Sequence, residues 1–215
     1  MSVLFILMLG CSYTCNIVAE SSKLTSINIE SDFDSISARK TFNKHLTNDI
    51  IDSTSQASSQ YVDSIYKKLY EQVMNYVSQT SRQKCTEKNA IAKMITDTAL
   101  EHDIDICFIL AQGTIETHLG TTGIGRTRKS IFGVYRTYGS YKKCIDDYVK
   151  ILKRNYLVRG RTEHHLMQHY INKNGKRYAN NAAYEKKLRH KYNEICSNTM
   201  IRDLQKKTKT LESKK

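Results

Sequence analysis

The sequence predicts a mainly α-helical protein, and three observations carry that expectation. Apolar residues recur at three- and four-residue steps through most of the chain from Tyr61 onward. Several of these stretches open on a capping Thr, Asp or Ser or close on Gly. No long alternation of apolar and polar residues marks a strand; at most a short hairpin fits around Val134–Tyr141. A chain of 215 residues suffices for one domain of ordinary size with extensions.

Residues 3–10 read VLFILMLG and end at Cys11. Eight apolar residues are too few to span a bilayer, which takes about 20. The run suits the apolar core of a secretory signal, and Gly10-Cys11 resembles a lipoprotein cleavage site. A buried N-terminal strand is the alternative. We read 1–20 as a signal or lipoprotein peptide. Residues 21–60 are rich in Ser, Thr, Asn and Asp and read as a flexible linker. Residues 61–84 follow as an amphipathic helix, with Val62, Ile65, Leu69, Val73 and Tyr76 on one face.

A dense helical domain is expected over 85–197. Thr86 can cap a helix running to about Glu101, with Ile91, Met94, Ile95 and Ala99 inward. Asp105 can cap the next, which runs to about His118 and is stopped by Gly120. Residues 120–130 read as a Gly-, Thr- and Arg-rich loop. Ser140 can cap a third helix, with Ile145, Tyr148, Val149, Leu152 and Tyr156 on one face. A fourth spans about Thr162–Ile171, Asn172–Gly175 is a turn, and a fifth spans about Asn181–Ile195. The Lys-rich remainder, 198–215, reads as a basic tail, frayed or disordered.

Charge divides along the same lines. The formal net charge is +13. Residues 1–84 carry 8 Lys+Arg and 8 Asp+Glu, so the whole excess belongs to residues 85–215. An anionic partner is implied. No helix-turn-helix, zinc-finger or RRM signature accompanies the charge, so nucleic acid is not the expected partner. Six Cys, at 11, 15, 85, 107, 144 and 196, form no CxxC pair. His165 and His169 have ligand spacing but belong to no HExxH, and a polar helix face is the simpler account. Gly120, Gly123 and Gly125 lack the strand and the GK(S/T) of a nucleotide loop. Neither a metal nor a cofactor is expected.

The chemistry concentrates in Ala111-Gln112-Gly113-Thr114-Ile115-Glu116-Thr117-His118-Leu119-Gly120. One carboxylate, Glu116, stands at the end of a mostly apolar helix. The partial negative charge of a helix C-terminus and apolar neighbours both disfavour ionisation of Glu116, the state a general acid needs. By itself such a Glu is more often a solvated surface residue. Gln112, one turn earlier, can support Glu116 by hydrogen bonding or serve packing alone.

Further motifs follow in order: Ile131-Phe132-Gly133-Val134, then Tyr178-Ala179 and Tyr184. Together with the Glu116 segment this set, over about residues 88–195, resembles the bacterial and phage cell-wall glucosaminidases of glycoside hydrolase family 73, including their compact, Bax-like members. The resemblance implies a lysozyme-like α-helical fold and an endo-β-N-acetylglucosaminidase acting on peptidoglycan. Glu116 matches the family's catalytic acid and Tyr178 its active-site tyrosine. Phe132 and Gly133 match the Phe-Gly that walls the sugar cleft, and Tyr184 is expected to pack behind Tyr178. Lys129-Ser130 stand where the family commonly has Asn-Asn, and Asn180-Asn181 where it often has Thr-Asp. Lys129 is then a candidate for meeting a peptide-stem carboxylate. With no Trp in the chain, Tyr135, Tyr138 and Tyr178 are the candidate sugar-facing aromatics, while Tyr148 and Tyr156 read as core.

No Asp or Glu lies between Glu116 and Asp146. Two-carboxylate hydrolysis needs a partner roughly 5–9.5 Å away. Three routes stay open: a carboxylate from elsewhere, assistance by the substrate's N-acetyl group, or lytic transglycosylase or muramidase-type cleavage with the same Glu. A one-carboxylate route is favoured. A non-catalytic wall-binding or virion module is the reading of a different class. The partners implied are peptidoglycan glycan strands, with anionic envelope polymers beside them. The place of action implied is extracytoplasmic: the cell envelope with lipid anchoring through Cys11, or the host wall for a phage-encoded protein.

Overall fold

The computed structural model describes residues 35–80, 87–133, 136–181 and 183–213, with side chains from Ser58 onward. The segment 1–20, residues 21–34 and 81–86, Val134 and Tyr135 lie outside the described residues. The chain divides into two compact units, residues 1–54 and 55–215, and the packing and the site described below belong to the second.

Eight helices make up the described structure: α1 (Ser35–Thr80), α2 (Lys88–Glu101), α3 (Ile106–Thr117), α4 (Gly123–Thr127), α5 (Tyr141–Asn155), α6 (Glu163–Gln168), α7 (Tyr184–Asn198) and α8 (Ile201–Glu212). No strand occurs among the described residues. The only pairing of that kind among them is an antiparallel bridge between Ile171 and Arg177, across the Asn172–Gly175 turn. The fold is mainly α. The hairpin considered at 134–141 is not formed where it is described, because Tyr141 already belongs to α5.

α3 is the axis of the domain. Ile106 through Ala111 are fully buried, so the helix is apolar on every side, as a helix enclosed by neighbours must be. It packs most extensively against α7, and also against α2, α4 and α8. Asp105 caps α3 by accepting from the backbone N–H of Cys107 (2.8 Å) and Phe108 (3.3 Å). The helix ends through a run of left-handed residues, His118 (φ 51°), Leu119 (φ 59°) and Gly120 (φ 78°), which turns the chain sharply after Thr117. Ser140 caps α5 through the N–H of Lys143.

Three segments differ from the sequence expectation. α1 begins at Ser35, well inside the stretch 21–60 read as linker. Residues 35–80 contain neither Gly nor Pro, so nothing in them interrupts a helix. Farther along α1, Ile65, Leu69, Val73 and Val77 are buried in the core, and the Tyr76 hydroxyl meets Thr114 Oγ1 of α3 at 3.1 Å. The loop at 120–130 holds a short helix, α4. The basic tail at 198–215 contains a packed helix, α8. Ile201, Leu204 and Thr208 are buried at helical spacing, beneath the exposed lysines Lys206 and Lys207. Gln205 of α8 reaches the start of α3, where its Oε1 accepts from Ile106 N (3.0 Å) and its Nε2 donates to Ile104 O (2.6 Å). The tail thus satisfies backbone groups of the central helix.

Candidate active site

Glu116 occupies the last turn of α3, at the mouth of a cleft of about 400 Å³. That volume falls within the usual range for small-ligand sites. The cleft is lined by Glu116, Thr117, Ser130 and Gly133, and by Thr122–Gly125 at the start of α4. Among the described residues no other acidic side chain lines it.

Each oxygen of Glu116 has its own environment. Oε1 accepts a hydrogen bond from the hydroxyl of Tyr184, the first residue of α7, at 2.6 Å. Oε2 lies against the backbone of Gly133. A Cβ at position 133 would overlap Oε2 and come within 3.1 Å of the Glu116 Cδ. Gly133 also holds φ at +67°, which favours glycine. Burial raises the Glu116 pKa above the ordinary carboxyl value, and the hydroxyls of Tyr184 and Tyr178 oppose the shift by favouring the anion. Burial dominates, so the neutral acid persists to higher pH than on an exposed Glu.

The wall opposite α3 is tied down by hydrogen bonds. Thr117 Oγ1 donates to Ile131 O (2.6 Å) and accepts from Gly120 N (2.7 Å). The Tyr141 hydroxyl donates to Gly120 O (2.9 Å), and the Tyr178 hydroxyl to Phe132 O (3.1 Å). Position 125 must be glycine-sized, because a Cβ there would sit 2.5 Å from Thr117 Cβ and 3.1 Å from Ser130 O. These contacts fix the segment 130–133 against the end of α3.

Behind the cleft lies an aromatic cluster. Tyr178 stacks on Tyr170 at 4.4 Å between ring centroids, and Phe132 stacks on Tyr148 at 3.7 Å. The hydroxyls of Tyr148 and Tyr170 both donate to Oε1 of Gln112, at 2.5 and 2.9 Å. Gln112 is therefore the shared acceptor of a buried network.

The other residues singled out in the sequence are placed as follows. Gln112 is fully buried (0 % exposed) and reaches Tyr148 and Tyr170, not the cleft. The Phe132 ring is 1 % exposed and stacks inward on Tyr148, while its backbone oxygen accepts from the Tyr178 hydroxyl. Tyr138 is 5 % exposed and packs near Cys144, Asp147 and Arg136. Lys129 forms a long ion pair with Glu87 (3.9 Å) and does not line the cleft. Gly133 and Glu116 do come together. Tyr178 lies beside them, but Tyr184 holds the direct bond to Glu116.

The downstream carboxylates are otherwise engaged. Asp146 pairs with Lys142 (2.8 Å), and Asp147 with Arg136 and Lys143. Glu163 accepts from Asp105 N at the far end of α3. Glu185 is 7 % exposed, accepts both from Arg177 (2.6 Å) and from Tyr170 N, and so anchors the 170–185 segment. His165 serves a capping box with Thr162, and His164 contacts Gln168. Cys107, Cys144 and Cys196 are free thiols.

Comparison with known proteins adds a family. Residues 92–197 match the glucosaminidase family model, described as mannosyl-glycoprotein endo-β-N-acetylglucosaminidase. No curated protein matches the chain. The matched span begins in α2, contains the whole of α3 to α6, and ends one residue short of the end of α7. It therefore includes every residue that lines the cleft. Residues 92–197 belong to the glucosaminidase family, glycoside hydrolase family 73, and make this chain a glycoside hydrolase acting on glycans.

Proposed function

We propose that this domain is a peptidoglycan endo-β-N-acetylglucosaminidase in which Glu116 is the general acid. The observation that carries the reading is the lone, half-buried carboxyl of Glu116 in the cleft, with burial holding it toward its neutral form. The two oxygens divide the work. Oε1 is occupied by the Tyr184 hydroxyl, which leaves Oε2 as the site of the proton. Because position 133 has no side chain, a glycosidic oxygen can approach Oε2 along the Gly133 backbone. As the proton transfers and the C–O bond to the leaving sugar breaks, Glu116 becomes an anion. The Tyr184 hydroxyl then stabilises that anion.

No second carboxylate among the described lining residues is available to activate water or attack the sugar. This favours a one-carboxylate route. In one form the substrate's acetamido oxygen attacks the anomeric carbon, and water later opens the resulting ring. In the other, a hydroxyl of the cleaved sugar closes an anhydro ring, as in lytic transglycosylases. A substrate in the cell wall implies action outside the cytoplasmic membrane, which the apolar run before Cys11 supports.

Mass spectrometry of fragments from purified walls tests the reading. Reducing-end N-acetylglucosamine is expected for the glucosaminidase. Anhydro-muramic ends would assign the transglycosylase route instead, and absence of any released fragment would contradict the proposal.

A further inference from the structure

Among the described residues the cleft contains one exposed apolar side chain whose role the family assignment does not supply. Ile124 is 51 % exposed and lines the cleft with Glu116. Single exposed apolar residues are ordinary on protein surfaces. Ile124 differs because of what surrounds it. Its neighbours are Gly123 and Gly125. Around a Cβ at position 123 there is open space, and one at position 125 would run into Thr117. The start of α4 therefore presents a single side chain to the cleft. The Thr hydroxyls of the lining are already used, Thr117 on Ile131 O and Thr122 on Thr117 O (3.0 Å). Of the candidate aromatics among the described residues, Tyr138 is buried, and Tyr178 is stacked on Tyr170 with its hydroxyl on Phe132 O.

We infer that Ile124 is the apolar platform of the sugar site, packing against the C–H face of an N-acetylhexosamine ring held beside Glu116. The inference rests on the glycan reading above and names a residue that sets substrate affinity. A pyranose has polar edges and a face of C–H groups. The edges can meet backbone groups of the Gly-rich lining, and the face needs an apolar partner. In a chain without Trp, the exposed Ile124 supplies that surface. Because Ile124 does not touch the reacting atoms, it is expected to change KM more than kcat.

The test uses the full chain carrying Glu116→Gln, which cannot turn over substrate, titrated calorimetrically with the β-1,4-linked tetramer of N-acetylglucosamine. Adding Ile124→Ser is expected to weaken binding about tenfold, while Ile124→Leu, which keeps the apolar area, stays within about threefold of the parent. Because Ile124 is half exposed, both variants are expected to melt with the parent. An Ile124→Ser protein that binds as tightly as the parent overturns the inference and leaves the glycan reading intact. A parent that binds no tetramer removes both.

Discussion

The Tyr184 hydroxyl donates 2.6 Å to Glu116 Oε1, joining the first residue of α7 to the last turn of α3 across 68 positions of sequence. That bond makes two opposed demands on Glu116. Burial favours the neutral acid, and the phenol favours the anion that proton transfer creates. An acid arranged this way is neutral before the reaction and supported after it.

Tyr184→Phe removes the support and keeps the ring. The neutral form of Glu116 is then favoured more strongly, so the alkaline limb of the activity profile moves to higher pH. A hydrogen bond to a charged group contributes about 1.5–3 kcal/mol, so kcat falls about tenfold or more. The pH profile of wall clearing measures both, and an unmoved alkaline limb would contradict the role of Tyr184.

Gly133→Ala is expected to abolish activity while leaving most of the fold intact. The added Cβ would overlap Glu116 Oε2, and the φ of +67° adds roughly 1–2 kcal/mol of backbone strain. Wall clearing should fall at least about a hundredfold, with a small loss of thermal stability. Activity close to wild type would show that the Glu116 carboxyl is not confined by this segment.

The raised pKa of Glu116 also predicts a stability signature. A group whose folded pKa exceeds its unfolded value contributes stability that is fully present below the unfolded pKa, near 4.5. That contribution is lost as pH rises through the folded value. Glu116→Gln abolishes the titration and keeps an acceptor for Tyr184. The variant should therefore gain thermal stability over wild type as pH is raised from 4 to 8. A melting difference that is constant over this range would contradict the burial argument.

Gln205→Ala leaves Ile106 N and Ile104 O without their buried partner. Each unsatisfied group costs about 1–3 kcal/mol, so urea unfolding should show a loss of roughly 2–4 kcal/mol. A loss below about 0.5 kcal/mol would show that α8 is a dispensable appendage.

Much of this was legible in the sequence, and the exceptions share a cause. The Asp105 and Ser140 caps, the stop after Thr117 and the Asn172–Gly175 turn are local signals, set by residues within one turn of each other. Glu116 was singled out by its place at the end of an apolar helix only together with the motifs downstream of it, and that helix sets it at the cleft. Which tyrosine reaches it was not. Tyr178 and Tyr184 are both near, and docking of α7 on α3 decides between them. Gln112, Phe132 and Tyr138 face inward for the same reason, since their partners Tyr148, Tyr170 and Cys144 lie on other elements. The α8 helix was legible in part: Ile201, Leu204 and Thr208 carry a helical period that the lysine content obscures.

Clearing of purified cell walls by the wild-type chain is compared with clearing by Glu116→Gln, which keeps the shape of the side chain and removes its proton. Clearing by wild type and a loss of at least about a hundredfold in the variant are expected. Equal clearing by the two proteins would remove Glu116 from the mechanism.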